Sequence, residues 1–186
     1  MEPDDLINIL HQNHVHSVCD AGCGCGIYAL KLAANGFCVS GFDVSSRAVE
    51  ISQMLLDKAS LTAELKTASI LTTGYPQKQF DGVISRDVLD HMSKADAILA
   101  VKERWRMTKD NGMILFTLDS LDEEYKTEQH NVNMDGDYVY TDGKWEGMIF
   151  HPYNRETVYE IIPTGVKSEV MERQGELTVI LRKSND

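Results

Sequence analysis

The chain has 186 residues, of which 42% are hydrophobic and 25% charged, ordinary globular usage that excludes disordered and fibrous classes. A fold of this length buries roughly 70% of its unfolded surface, enough for a core without disulfides or metal. Lys and Arg number 18 against 29 Asp and Glu, a net charge of −11, so the basic stripe that phosphate backbones require is missing and no nucleic acid or anionic membrane is expected as partner.

The N-terminal run MEPDDLINIL is acidic where a secretory signal is positive, and no apolar core follows it. The longest apolar stretch, Met113 to Leu118, is far shorter than the ~20 residues of a membrane span, so a cytoplasmic location is expected. The four cysteines, at 19, 23, 25 and 38, crowd the first quarter of the chain and read as reduced thiols. Cys23-x-Cys25 lacks a second ligand pair at metal spacing, so no metal is expected there.

Some fifteen residues, room for one helix, precede a first strand at His16 to Asp20, which ends in a glycine turn. A helix over Ile27 to Asn35 follows, stopped by Gly36. Phe37 to Phe42 is a second strand, and a helix from about Ser45 to Ala59 buries Val49, Ile51, Leu55 and Leu56. Thr62 to Thr67 and Phe80 to Ser85 are strands three and four. Asp87 and Asp90 read as helix-start acids, and a helix from about Lys94 to Met107 leads through Asp110-Asn111-Gly112 to a fifth strand, Met113 to Leu118. Such alternation implies a parallel sheet with helices on both faces, and ligands at the carboxyl ends of its strands.

Residues 119–136 are polar, after which Tyr138 to Tyr140 and Trp145 to Phe150 flank Asp142-Gly143 as a hairpin. Asn131-x-Asn133-x-Asp135-Gly136 half-matches a calcium loop but lacks its leading Asp and closing Glu. A helix from Asn154 to Ile162 and two strands, Val166 to Met171 and Leu177 to Leu181, close the chain; their short link forces antiparallel pairing.

The chemistry concentrates in Val18-Cys19-Asp20-Ala21-Gly22-Cys23-Gly24-Cys25-Gly26, placed between a strand and a helix. Alternating glycines let a ligand approach without Cβ interference. In dinucleotide folds this turn faces a pyrophosphate. Asp20, two residues before the first glycine, would cost on the order of 1–4 kcal/mol beside a phosphate ~4 Å away, and would stabilise a cation by as much. Asp43 ends the second strand, 17 residues past Gly26, where an acid suits ribose hydroxyls. Together they point to a nucleoside with a positive, phosphate-free tail.

The runs VCDAGCGCG, GFDVS and FDGVISRDVLDHM, with the antiparallel closing strands, resemble the class I S-adenosylmethionine-dependent methyltransferases. The resemblance implies an α/β fold, with a doubly wound, mostly parallel seven-stranded sheet and an antiparallel C-terminal strand pair. It implies S-adenosyl-L-methionine as cofactor, Asp20, Gly22, Cys23, Gly24 and Gly26 around its methionine part, and Asp43 and Val44 at ribose and adenine. Ser69, with Ile70, stands where the family usually has an acid for the adenine amino group, and Arg86 stands where the backbone passes the methionine tail. His91 and His151 are the candidate general bases. Tyr125, Tyr153 and Trp145 are candidate pocket walls, and Trp105 reads as sheet packing. The Pro-Pro-aromatic turn and Pro-Cys nucleophile of nucleic-acid and amide methylators are missing, so a small-molecule O, N or S acceptor is expected. A single domain is expected, monomeric or homodimeric, with a hairpin-bearing lid or interface insertion at about 119–152. A cofactor-binding regulatory subunit without catalysis and an NAD-type enzyme are the alternatives.

Overall fold

The computed structural model describes residues 3–119, 121 and 123–184. Helix α1 (Pro3–Gln12) precedes β1 (Ser17–Ala21), α2 (Ile27–Ala34), β2 (Cys38–Asp43), α3 (Ser46–Lys58), β3 (Glu64–Thr67), β4 (Phe80–Arg86), α4 (Lys94–Met107) and β5 (Thr108–Leu118). Next come α5 (Glu123–Thr127), β6 (His130–Val132), β7 (Tyr138–Tyr140), β8 (Ile149–Phe150), β9 (Lys167–Arg173) and β10 (Glu176–Arg182), with 3-10 turns at Gly143–Trp145 and Thr157–Ile161.

Seven strands form one sheet in the order β3-β2-β1-β4-β5-β10-β9. The first five are parallel, and β10 runs antiparallel to both β5 and β9. The period of two in each central strand sends alternate side chains to opposite faces. Cys19, Val83, Ile114, Phe116 and Val179 pack under α4 and Val158, whereas Val18, Ile84, Leu115 and Ile180 pack under α1 and α2. Two cores on one sheet are what continuous apolar strands require. No helix among the described residues is long and apolar enough to cross a membrane.

Local chemistry sets the boundaries. Ser45 and Ser93 cap α3 and α4, their hydroxyls accepting the amides of Ala48 and Asp96 at 3.2 and 3.1 Å. The β9–β10 turn places Gln174 and Gly175 at φ 53° and 85°, as a two-residue hairpin of this hand demands.

Four expectations are corrected. Asp87 and Asp90 start no helix: α4 begins at Lys94, where Ser93 and Asp96 form the cap. The region after Asn154 is a 3-10 turn rather than an α-helix, and the Asn154 carboxamide just ahead of it accepts the Glu156 and Thr157 amides at 2.8 and 2.9 Å. Asp110-Asn111-Gly112 does not precede β5 but lies within it, as an irregularity in the pairing with β4 that puts Asn111 at φ 60°. The polar stretch after Asp119 contains α5 and β6, the latter pairing with β7. Ser120 and Asp122, in that stretch, lie outside the described residues. The expected hairpin pairs Tyr138 with Phe150, and the Asn133 side chain of the calcium-like run instead accepts the amides of Asp135 and Asp137.

Candidate cofactor site

The turn between β1 and α2 holds Gly22, Gly24 and Gly26 at φ 82°, 51° and 82°, a region that L side chains avoid. The three glycines have different reasons. A Cβ at Gly26 would sit 2.6 Å from the Cβ of Ser52 on α3, and one at Gly22 would sit 2.7 Å from Val88 Cγ2. At Gly24 a Cβ would meet nothing within 4 Å, so its outer side is open. The Gly22 and Cys23 amides both donate to Phe42 O at 2.9 Å, tying the turn to the end of β2.

Asp43 completes that tie. Its Oδ2 accepts the Gly24 amide and its Oδ1 the Ser45 amide, each at 2.9 Å. One carboxylate therefore fixes both the glycine turn and the entry to α3, and each oxygen keeps a further lone pair. Asp20, 2% exposed, lies beneath the turn. Burial pushes its carboxyl up to about 7, with the Asp43 charge adding to the rise and the Ala29 amide opposing it. Its Oδ2 has no hydrogen-bond partner among the described residues. Burial likewise pushes the Cys23 thiol up to about 12, which leaves it a neutral, turn-lining group.

A cavity of about 360 Å³ opens at the carboxyl ends of β1, β2 and β4. Of the residues singled out in the sequence, Gly22, Asp43, Val44, Ser69, Ile70 and His91 line it. Val44 lines the cavity and is 78% exposed. The Ser69 hydroxyl accepts the Leu71 amide at 3.2 Å.

The other candidates lie elsewhere. Cys23, Gly24, Gly26 and Asp20 form the turn and its floor. Arg86 turns away from the cavity: its Nη2 pairs with Glu176 at 3.2 Å and Asp87 at 3.5 Å, and its guanidinium stands 5.0 Å from the Tyr28 ring centre. His151 is buried and does not line the cavity; its Nδ1 lies 2.7 Å from Asp137 Oδ1. Tyr125 and Trp145 pack with Phe150 in a small core of their own, and Trp105 packs against the main core.

Of the lining residues that sequence reasoning missed, Phe42, Ala68 and Leu71 lie at or just beyond the ends of β2 and β3, and the rest follow β4. Asp87, Val88, Met92 and Asp96 complete the wall beside His91. Asp87 has φ 51°, a strained value for a residue with a side chain, held because Thr117 Oγ1 donates to its Oδ1 at 2.5 Å. Their placement directly after a central parallel strand was the available signal.

Comparison with known proteins agrees with this geometry. A family model described as a methyltransferase domain matches residues 18–112, just over half of the chain. A ubiquinone biosynthesis O-methyltransferase of Thiobacillus denitrificans is 31% identical over 102 residues, 54% of this chain and 43% of the relative. One from Nitrosomonas europaea is 28% identical over 116 residues, 61% of this chain and 47% of the relative. The chain thus spans less than half the length of these curated relatives. Among solved structures, an S-adenosylmethionine-dependent methyltransferase of Methanosarcina mazei superposes with a TM-score of 0.78 at 19% identity, covering 96% of this chain and 98% of the other. The magnesium protoporphyrin IX methyltransferase of Synechocystis, solved with bound S-adenosylhomocysteine, gives 0.71 at 17% identity over 98% of this chain and 82% of the other. Both share the fold. With a family model over half its length, this sheet order and an acid-flanked glycine turn, the chain belongs to the class I S-adenosylmethionine-dependent methyltransferases, whose cofactor is S-adenosylmethionine.

Proposed function

We propose that this protein transfers the methyl group of S-adenosylmethionine to an oxygen, nitrogen or sulfur nucleophile of a small molecule, and that the 119–152 segment of its single domain serves as lid or subunit contact. The observation that carries the reading is the pair of acids on either side of the glycine turn. The buried Asp20 carboxyl has an Oδ2 with no hydrogen-bond partner among the described residues, and Asp43 lines the cavity with lone pairs to spare. A nucleoside with an onium tail fits that arrangement, and a diphosphate does not.

In this reading Asp43 accepts the ribose hydroxyls, and the exposed Val44 and half-buried Ile70 clasp the adenine between apolar surfaces. Ser69 offers its hydroxyl to the ring edge. Gly22 and Gly24 leave the approach to the methionine tail open, Cys23 and Gly26 shape the turn, and Asp20 stabilises the positive end from below. The backbone of Arg86 contributes there; its guanidinium is already held by Glu176 and Asp87. When bound, the cofactor supplies a methyl group activated by its sulfonium. Holding the acceptor in line in a site shielded from water contributes up to roughly 7–11 kcal/mol of the barrier reduction.

His91, on the cavity wall, takes the proton of a protonated nucleophile, a contribution of ~10²–10⁴-fold. His151, buried and outside the cavity lining, is read as holding the segment through Asp137 rather than as the base. The O-methyltransferase names of the curated relatives favour an oxygen nucleophile. A screen of hydroxyl, amine and thiol acceptors, read as homocysteine released from the product, tests the proposal. One class is expected to react, and Asp43→Ala to abolish most of that turnover. Cofactor binding with no product from any class would leave a regulatory cofactor-binding protein.

A further inference from the structure

Asp90 is a fully buried carboxylate for which the transfer chemistry has no use. It lies between β4 and α4, next to His91. Its Oδ2 accepts the amide of Asp119, where β5 ends and the inserted segment begins, at 2.7 Å. Its backbone carbonyl accepts the amide of His151, where the segment returns, at 2.8 Å. One residue thus ties both roots of the excursion. A second tie lies further out. Asp137 Oδ1 accepts the Lys94 amide at the start of α4 at 3.1 Å and bonds His151 Nδ1 at 2.7 Å, while its Oδ2 accepts Asn133 Nδ2 at 2.7 Å. Inside these ties the Tyr125 and Phe150 rings stack at 4.3 Å, and the His91 ring rests on them at 6.2 and 5.6 Å. The imidazole is therefore held by the segment behind it as well as by its own loop.

We propose that Asp90 is a positioning residue: its carboxylate fastens the Asp119 root of the 119–152 segment beside the His151 root held by its backbone carbonyl, sets the Tyr125–Phe150 pair against His91 and so fixes the imidazole on the cavity wall. The purpose of that placement rests on the methyltransferase reading, whereas the clamp itself is measurable without cofactor or acceptor.

The test combines amide hydrogen exchange with the proton spectrum of His91, assigned by comparison with His91→Gln. In Asp90→Ala, amides of residues 130–150 are expected to exchange at least tenfold faster while those of β1 and β4 keep their rates. The His91 Cε1–H signal should move towards its unfolded position as it leaves the two rings. Asp90→Asn, which keeps an oxygen for the Asp119 amide, should restore both readouts. Should Asp90→Ala fail to fold, Asp137→Asn, which weakens the outer tie and leaves Asp90 in place, is expected to give the same pattern at smaller amplitude. Unchanged exchange and an unmoved His91 signal in the folded variants would overturn the clamp. So would equal acceleration in β1 and β4, since Asp90 would then only stabilise the fold as a whole. Calorimetry with S-adenosylhomocysteine on the unaltered protein separates the two readings: no binding would remove the methyltransferase assignment and leave the clamp result standing.

Discussion

Replacing Asp20 by Asn removes a charge that the unliganded fold holds at a cost. The carboxyl is buried and pushed up to about 7, so the folded state binds its proton far more tightly than the unfolded chain does. For a raised carboxyl the stabilisation is complete below the unfolded pKa near 4 and is lost as pH rises through about 7. Three pH units at 1.36 kcal/mol each set the ionisation cost at about 4 kcal/mol above pH 7. The Asn variant, isosteric and neutral, should therefore be more stable than the parent at pH 8 by up to ~4 kcal/mol, and by less than ~2 kcal/mol at pH 5. Cofactor binding should move the other way. Losing a charge-assisted partner costs roughly 1.5–3 kcal/mol, a tenfold to hundredfold weaker affinity. Urea unfolding at the two pH values and calorimetry with S-adenosylmethionine check both halves. A variant destabilised equally at pH 5 and pH 8, or one binding the cofactor as tightly as the parent, would refute the reasoning.

Further outcomes follow from single contacts. Asp43→Ala frees the Gly24 and Ser45 amides, so calorimetry should show cofactor affinity down at least ~10-fold, and unfolding curves a loss of about 1–3 kcal/mol. Gly26→Ala forces a Cβ into Ser52 at a left-handed φ and should cost about 1–3 kcal/mol by thermal unfolding, with partial recovery in the Gly26→Ala, Ser52→Gly double variant. Asp81 carries the opposite pH signature to Asp20. Burial favours its neutral form, but Lys109 and the Ser17 and His16 donors outweigh that and hold the carboxyl at about 2. Its contribution of roughly 2 kcal/mol is present above pH 4 and fades towards pH 2, so Asp81→Asn should flatten the acid limb of the stability curve. Arg104 is fully buried with Ser85 Oγ at 2.7 Å, while its Nε and Nη1 have no partner among the described residues; Arg104→Met should raise the urea midpoint.

Much of this architecture could be read from local patterns. Runs such as Val18-Cys19 and Met113–Leu118 are apolar on both faces because they are covered on both, and their lengths distinguish strand from helix. The start of α3 at Ser45 was legible because capping is decided within four residues. What failed depended on distant partners. Asp87 and Asp90 looked like helix-start acids, but Thr117 and Asp119, on and beyond β5, claim them. The short polar β6 was invisible to periodicity; the stacking of His130 on Tyr138 at 4.3 Å, across the strand pair, helps hold it. In the site, the glycine turn and Asp43 were legible at strand ends, whereas Val44, Ser69, Ile70 and His91 came from the resemblance to the family; Gly22, Asp43 and these four line the cavity. Nothing nearby in sequence announces Asp137, fourteen residues earlier, as the partner of His151.

In the proposed function the acid-flanked turn selects an onium nucleoside. Calorimetric titration of the protein with S-adenosylmethionine, S-adenosylhomocysteine and NAD tests it directly. Saturable binding of the sulfonium S-adenosylmethionine and of its thioether product S-adenosylhomocysteine, weakened in Asp43→Ala, with no heat from NAD, is the predicted result. Saturable NAD binding with none of S-adenosylmethionine would contradict it.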